Sequence, residues 1–159
     1  VDVPMLDMTH CDAAKLSKQH GKKAEYALCA SQWHKSLSYT DAFFKDGMTY
    51  DADFKKAFGY APPYQAAESS AALLVFKDAF ERANDFDTKK VRNALAKTDM
   101  QTFYGNIKFA KGGQNVSKPM VLFQVICNSD GSKCENKVVA PTKWASAKLV
   151  HPTPSWSKR

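Results

Sequence analysis

The stretch from Pro62 to Arg82 constrains this chain more than any other. Pro62 and Pro63 end whatever precedes them, because the proline ring fixes φ and leaves no amide hydrogen for an earlier ladder. Beyond them, Ala71-Ala72-Leu73-Leu74-Val75-Phe76 is apolar almost all round, and polar groups return at Lys77, Asp78, Glu81 and Arg82. Such a run predicts a long core helix covered on most sides. Its first turn, with Tyr64, Gln65 and Glu68, is also placed to border a ligand cleft.

A chain of 159 residues, 44% hydrophobic and 25% charged, can bury the core of one globular domain. No apolar run approaches the ~18 residues of a transmembrane helix, so no membrane insertion is expected. Val1-Asp2-Val3-Pro4 lacks the basic and apolar regions of a signal peptide, so an exported protein would have its leader outside this sequence. The net charge of +7 invites a nucleic-acid reading. The lysines are scattered, however, and no basic run exceeds two residues. A nucleic-acid groove interleaves arginine and aromatic side chains on one face, so the charge reads as a solvated surface and no nucleic acid is expected.

Taken in order, Val3 to Met8 reads as a short strand. Asp12 or Thr9 can cap a helix running through Ala13, Leu16 and Gln19, which His20-Gly21 ends. Glu25 to Trp33 reads as a second strand. Strand, helix and strand in so short a span form a βαβ unit, which predicts parallel pairing. Ligands of open parallel sheets gather beyond the C-terminal strand ends, which points to Thr9-His10 and then to Trp33-His34. Asp51 to Phe58 is helical, with Phe54, Ala57 and Phe58 on one face and Gly59 as its stop. After the central helix, Asp87 precedes a helix over Thr88 to Ala96 with Val91, Ala94 and Leu95 as its buried stripe. The period then changes to two: Thr102 to Phe109 is an irregular strand pair interrupted by Gly105. Met120 to Cys127 is a strongly apolar strand, Val138-Val139-Ala140 its partner, and a proline-punctuated tail follows.

Cys127 and Cys134 flank a turn whose Asp130-Gly131 pair predicts a two-residue type I′ hairpin. With those two at the tip, Cys127 faces Cys134, at a Cα separation of about 4.5–5.5 Å that a disulfide spans. Reduced thiols in a cytosolic hairpin are the alternative; an exported setting favours the bond. Cys11 and Cys29 could form a second bridge, but nothing in the sequence fixes their distance. Asn115-Val116-Ser117 is a glycosylation acceptor if the source is eukaryotic. His10, Cys11 and Asp12 are adjacent, whereas a catalytic Cys and His usually come from separate segments. The chain has no nucleophile elbow, no phosphate loop and no paired-cysteine zinc signature, and a metal site at His10 and Cys11 would match no standard spacing.

The order of Pro62-Pro63-Tyr64-Gln65-Ala66-Ala67-Glu68, Glu81-Arg82-Ala83, Lys90-Val91-Arg92-Asn93-Ala94-Leu95, Thr102 to Phe109 and Gly113-Gln114-Asn115 resembles one family. It is that of the periplasmic type I solute-binding proteins serving branched-chain amino acid ABC transporters, the leucine/isoleucine/valine-binding proteins. The resemblance runs from Pro4 to Trp156 and concerns the C-terminal half of such a protein, a typical member being about twice this length. It implies an α/β fold, with residues 1–33 and 119–150 similar to the second lobe, 34–118 to the end of the first, and 151–159 a tail. It implies that the N-terminal half is missing, so this is a fragment paired with another chain or a shortened relative that has repacked.

The same resemblance implies a non-enzymatic protein, periplasmic or secreted, that binds a small solute for ABC-type uptake without a cofactor. Its partners would be that ligand, an ABC permease, and a second chain or further copy covering the missing half. In amino-acid binders the loop after the first strand supplies a carboxylate for the ligand ammonium. Here the matching loop is Met8-Thr9-His10-Cys11, with Thr9 the best match and His10 beside it. A buried ammonium needs a paired charge, so the loop argues against a plain α-amino acid. Tyr64 matches a position that packs an aromatic ring on the ligand. Against Thr9 stands a helix-cap role, and against His10 a surface-loop role. The contrasting expectation for the whole chain is a structural or interaction module that kept the scaffold and lost the pocket.

Overall fold

A computed structural model describes residues 3–9 and 11–159. Two compact units emerge, one of Val1–Gln32 with Met120–Arg159 and one of Trp33–Pro119. Both mix helices with sheets, in keeping with the expected α/β class.

The first unit is built on a four-stranded sheet in the order β1 (Asp7–Met8), β2 (Leu28–Ser31), β7 (Val121–Cys127), β8 (Cys134–Ala140). Asp12 caps α1 (Ala13–His20) by accepting the Lys15 N–H, so Thr9 is not the cap. The helix joins β1 (Asp7–Met8) to β2 (Leu28–Ser31), and the two strands pair in parallel as a βαβ unit requires. Both are shorter than their apolar patterns suggest. Pro4 offers its carbonyl to Thr153 N–H (2.9 Å), so the tail occupies the start of the expected first strand. Tyr26 takes a φ of 67°, which breaks the extended run before Leu28.

Antiparallel to β2 lies β7 (Val121–Cys127), followed by β8 (Cys134–Ala140), with Cys127 opposite Cys134 as the sequence suggests. The turn between them is different. Gly131 alone has a positive φ, at 72°, and Asn128 O accepts its N–H, so the tip is not a type I′ pair. Asn128 also closes the loop from the other side, its N–H donating to Lys133 O and its Oδ1 accepting the Lys133 N–H. A longer loop built around one ordinary turn and one left-handed residue keeps the same cysteine register. The tip packs on the α1 end: Ser17 Oγ donates to Gly131 O and Lys22 Nζ to Ser129 O. A Cβ at Gly131 would collide with the Lys22 backbone. Disulfides join Cys127 to Cys134 and Cys11 to Cys29, with Cα separations of 4.0 and 5.7 Å.

The core of this sheet includes Leu28, Val121, Phe123, Val125 and Val138, all buried, with the polar Ser31 and Gln124 buried among the strands. Gln124 is fully buried, and its Nε2 donates to Tyr26 O (3.2 Å) and Val150 O (3.0 Å) while its Oε1 accepts Val150 N–H (2.8 Å). A buried amide so satisfied is stabilising rather than costly. It ties the segment at Val150 to the middle of β7. Arg159 continues the tie, donating to Pro154 O, Glu25 O and Thr153 Oγ1.

In the second unit, β3 (Thr40–Asp41) and β4 (Lys45–Asp46) form a small ribbon. The helix α2 (Gly47–Phe58) starts a turn earlier than its apolar face suggests, because Asp46 accepts the Thr49 N–H as a cap. Its buried face is Tyr50 and Asp51, with Phe54 half-buried; Ala57 and Phe58 are exposed. The long helix α3 (Tyr64–Ala83) follows the two prolines, and α4 (Thr88–Leu95) follows the Asp87 cap, with Val91 and Ala94 buried. Last comes a hairpin of β5 (Asp99–Thr102) and β6 (Gly105–Lys108).

Its two tip residues point inward. Phe103 is fully buried, stacked on Tyr50 at 4.3 Å between centroids and tilted against Phe44 at 5.0 Å, with Trp33 edge-on at 6.0 Å. The Asp41 carboxylate holds this arrangement, accepting Phe43 and Phe44 N–H with Oδ1 and Phe103 N–H with Oδ2.

The central helix is not covered on most sides. Ala67, Ala71, Val75 and Ala79, at i,i+4 spacing, form its buried stripe. Leu73 is 69% exposed and Phe76 46%, and Phe86 beyond the helix is 86% exposed. Small residues bring α3 close to its neighbours along one line only, and the larger side chains fall on the other side. Among the described residues, no helix is long and apolar enough to cross a membrane.

Two measurements follow from the packing. Phe103→Ala removes the centre of an aromatic cluster and is expected to cost about 3–5 kcal/mol, read as a lower urea midpoint. A change under 1 kcal/mol would show that the hairpin tip is not packed as described. Non-reducing peptide mapping of freshly isolated protein is expected to recover Cys11 with Cys29 and Cys127 with Cys134. Free, alkylatable thiols at these positions would overturn both pairings.

Candidate functional site

The sequence points to three residues: Thr9, His10 and Tyr64. In the first unit, Thr9 is exposed in the bend directly after β1, beyond the C-terminal end of a parallel strand. His10 lies outside the described residues. Its neighbour Cys11 is bonded to Cys29 on β2, which ties the loop to the sheet and leaves no thiolate for a nucleophile or a metal. Among the described residues, no group of three or more His, Cys, Asp and Glu side chains could hold a metal ion. Trp33, the other strand-end candidate, is a buried core residue of the second unit, packed edge-on against Tyr50. The neighbouring His34 Nδ1 lies 2.7 Å from Ser36 Oγ.

In the second unit, Tyr64 is the first residue of α3 and is half-buried. Glu68 follows one turn later on the same face and is exposed. The hairpin tip brings Tyr104 to this helix end. Burial first, then the charges of Glu68 and Tyr64, push its phenol well above the usual range, so it stays an O–H donor at any physiological pH. Lys118 completes the group. Its Nζ lies 4.2 Å from the centre of the Tyr104 ring, a cation–π contact. Its aliphatic stem runs over Gly105, where a Cβ would collide with the Lys118 Cγ, Cδ and Cε atoms. Gly105 also has a φ of 148°, a conformation that side-chain-bearing residues rarely adopt. Burial pushes the Lys118 ammonium down to about 8, with Glu68 opposing that shift.

One end of α3 therefore gathers two tyrosines, a carboxylate and a partly desolvated lysine. Tyr64 and Glu68 are legible from the helix start. Tyr104 and Lys118 are not singled out by any local pattern. The one available signal was Gly105: a glycine inside a strand marks close approach by another part of the chain. Chemically the group combines hydroxyl and ammonium groups with one carboxylate.

The family model for periplasmic binding proteins matches residues 2–132 of the chain. Among solved structures, it is similar to a leucine binding protein from Thermotoga maritima, with 22% identity, a TM-score of 0.60, and coverage of 82% of this chain and 35% of that one. It is also similar to a protein from Silicibacter pomeroyi assigned as a branched-chain amino acid ABC transporter, with 16% identity, a TM-score of 0.68, and coverage of 90% and 38%. At such identities the likeness is one of fold, and the chain spans little more than a third of either neighbour's length. The match over residues 2–132, together with the shared α/β fold, establishes that this chain belongs to the periplasmic binding protein family.

Proposed function

We propose that this chain is part of a non-enzymatic solute-binding protein that captures a small molecule outside the cytoplasm for ABC-type uptake. The observation that carries the reading is the family match over residues 2–132. The group at the start of α3 supports it by offering Tyr64 an aromatic and charged setting. The leucine-binding assignment of one structural neighbour and the branched-chain amino acid transporter assignment of the other favour an amino acid, amide or aromatic acid as the solute class. Thr9, in the bend after β1, and His10, its neighbour in sequence, are also proposed as ligand-binding residues. An ABC permease is the proposed downstream partner, and the proposed compartment is the periplasm or the cell exterior.

The chain's share of its neighbours' length adds a proposal about assembly: a second polypeptide or a further copy supplies the rest of a two-lobed fold. Exposed Leu73, Phe76 and Phe86 favour such cover. The same residues also favour a second reading, in which the chain is an interaction module without a working pocket.

Thermal unfolding with a panel of leucine, phenylacetate and phenylacetamide separates the two. Binding to the folded state alone stabilises by about 2.7 kcal/mol at 100 times the Kd. At least one compound is expected to raise the Tm, and Tyr64→Ala to abolish the rise. No rise with any compound would favour the interaction module. Light scattering at high concentration is expected to find an assembly larger than one chain; a compact monomer would remove the proposed second copy.

A further inference from the structure

The outer face of α3 is not composed like an ordinary solvent face. Gln65, Ser69, Ala72, Leu73, Phe76 and Phe80 follow one another along it at helical spacing, all exposed and none charged. A wet helix face usually carries the charged residues of the helix. The sizes along this stripe also change in one direction. Ser69 and Ala72 make its N-terminal half small, Phe76 and Phe80 make its C-terminal half large, and Leu73 lies between. We propose that this face is the interface of a two-fold homodimer. In it α3 packs antiparallel on α3 of a second copy, and Phe80 of each chain enters the hole formed by Gln65, Ser69 and Ala72 of the other. The inference commits the assembly proposal above to a further copy of this chain and does not depend on solute binding.

Three observations carry it. The first is the size gradient. A two-fold axis across the Leu73–Phe76 turn reverses the gradient of the second copy, so large side chains meet small ones twice. Parallel pairing would set Phe80 on Phe80 and leave a gap at Ser69, and a flat partner surface would be filled at one end only. Phe86, whose ring centre lies 5.3 Å from that of Phe80, extends the large end. The second is charge. A two-fold antiparallel crossing brings each border of the stripe against the same border of the copy, so a border with net charge would repel itself. Lys77 and Glu81 on one border already pair with each other at 2.6 Å and leave it neutral. Glu68 stands on the other border, toward the N-terminal end, and the crossing separates its two copies by roughly 20 Å along the helices, beyond the screening length at physiological salt. The third is area. Leu73, Phe76, Phe80 and Phe86 are 69%, 46%, 37% and 86% exposed. At about 200 Å² for each whole side chain, they present roughly 450–500 Å² per chain. Two copies together reach the ~1,000 Å² that a specific interface must clear once the hole residues are included.

Sedimentation velocity of the whole chain from about 1 to 200 µM tests this, with a reversible monomer–dimer equilibrium of micromolar Kd as the expected result for so small an interface. Leu73→Glu and Phe76→Glu are each expected to weaken the dimer about tenfold or more, since each buries a charge at its centre. Phe58→Glu, on the separate exposed end of α2, is expected to leave it unchanged. A short bismaleimide is expected to join Ser69→Cys chains to Phe80→Cys chains when the two are mixed, and not to join Ser69→Cys chains to one another. A monomer across the whole range would overturn the inference and turn the search to a different polypeptide as the cover of α3. A dimer that withstands Leu73→Glu and Phe76→Glu, or Ser69→Cys chains that join to one another, would overturn it as well. If circular dichroism shows Phe76→Glu to be unfolded, Leu73→Glu and the cross-linking decide. A monomer whose Tm still rises with a solute would sink the dimer and leave solute binding standing. A dimer that dissociates as expected on Leu73→Glu but responds to no solute would keep the interface and count against the solute reading alone.

Discussion

The second unit depends on a hairpin whose tip is turned inward. A two-residue tip between β5 and β6 would ordinarily carry glycine, asparagine or aspartate facing water. Here it carries Phe103 and Tyr104, both buried. Burying an aromatic side chain is worth about 1.5–3 kcal/mol, but the backbone polar groups of the tip must then be satisfied inside. Asp41 does this for Phe103 by accepting its N–H at 2.7 Å, and Thr102 Oγ1 donates to Gly105 O at 2.9 Å. The aromatic cluster and the hydrogen bonds at the tip are therefore one arrangement. Removing Asp41 would leave a buried donor unpaired, and removing Phe103 would leave Asp41 tying down an empty space.

The same inversion produces the chemistry at the start of α3. Once Phe103 is directed into the core, Tyr104 is presented with its face to Lys118, and the residue after it must pass beneath the lysine stem. Only glycine meets both demands at that position, the close approach and the φ of 148°. Packing and site are in this sense a single constraint. A lysine that rests on a buried ring, with most of its water displaced, is held near its titration point by the fold and not by a neighbouring cation.

Signals confined to a few residues were legible in the sequence. Asp12 and Asp87 cap the helices they precede, β1 and β2 pair in parallel, and Cys127 stands opposite Cys134. Each depends on spacing along one element or across one connection. The misreadings share a cause of the opposite kind. The expected type I′ turn failed because Asn128 offers the loop a side-chain acceptor and Gly131 must clear the Lys22 backbone, a contact more than a hundred residues distant in sequence. The first strand lost its beginning to Thr153, and Gln124 owes its burial to Val150. Lys118 and Tyr104 meet across a loop that carries no pattern linking them. Periodicity reports which residues are apolar and not which partner arrives, so contacts made by the tail and by single side chains stayed out of reach.

The central helix shows that limit most clearly. A run apolar all round is equally consistent with cover on every side and with one dry stripe beside one wet side. The residue sizes distinguish the two. Alanines at 67, 71 and 79 let α3 approach α4 and β5 closely, so the buried line is made from the smallest side chains in the run. Leu73, Phe76 and Phe80 are then left on surface of this unit, with Phe80 touching both Phe76 and Phe86. Full burial of each such side chain would add about 1.5–3 kcal/mol, a gain this chain by itself does not collect. Scattered exposed apolar residues need no explanation, but four neighbouring ones on and beyond one helix form a patch of the kind that binds something. Where the match spans little more than a third of two solved neighbours, that uncollected burial is the physical reason to look for a partner before concluding that the chain works alone.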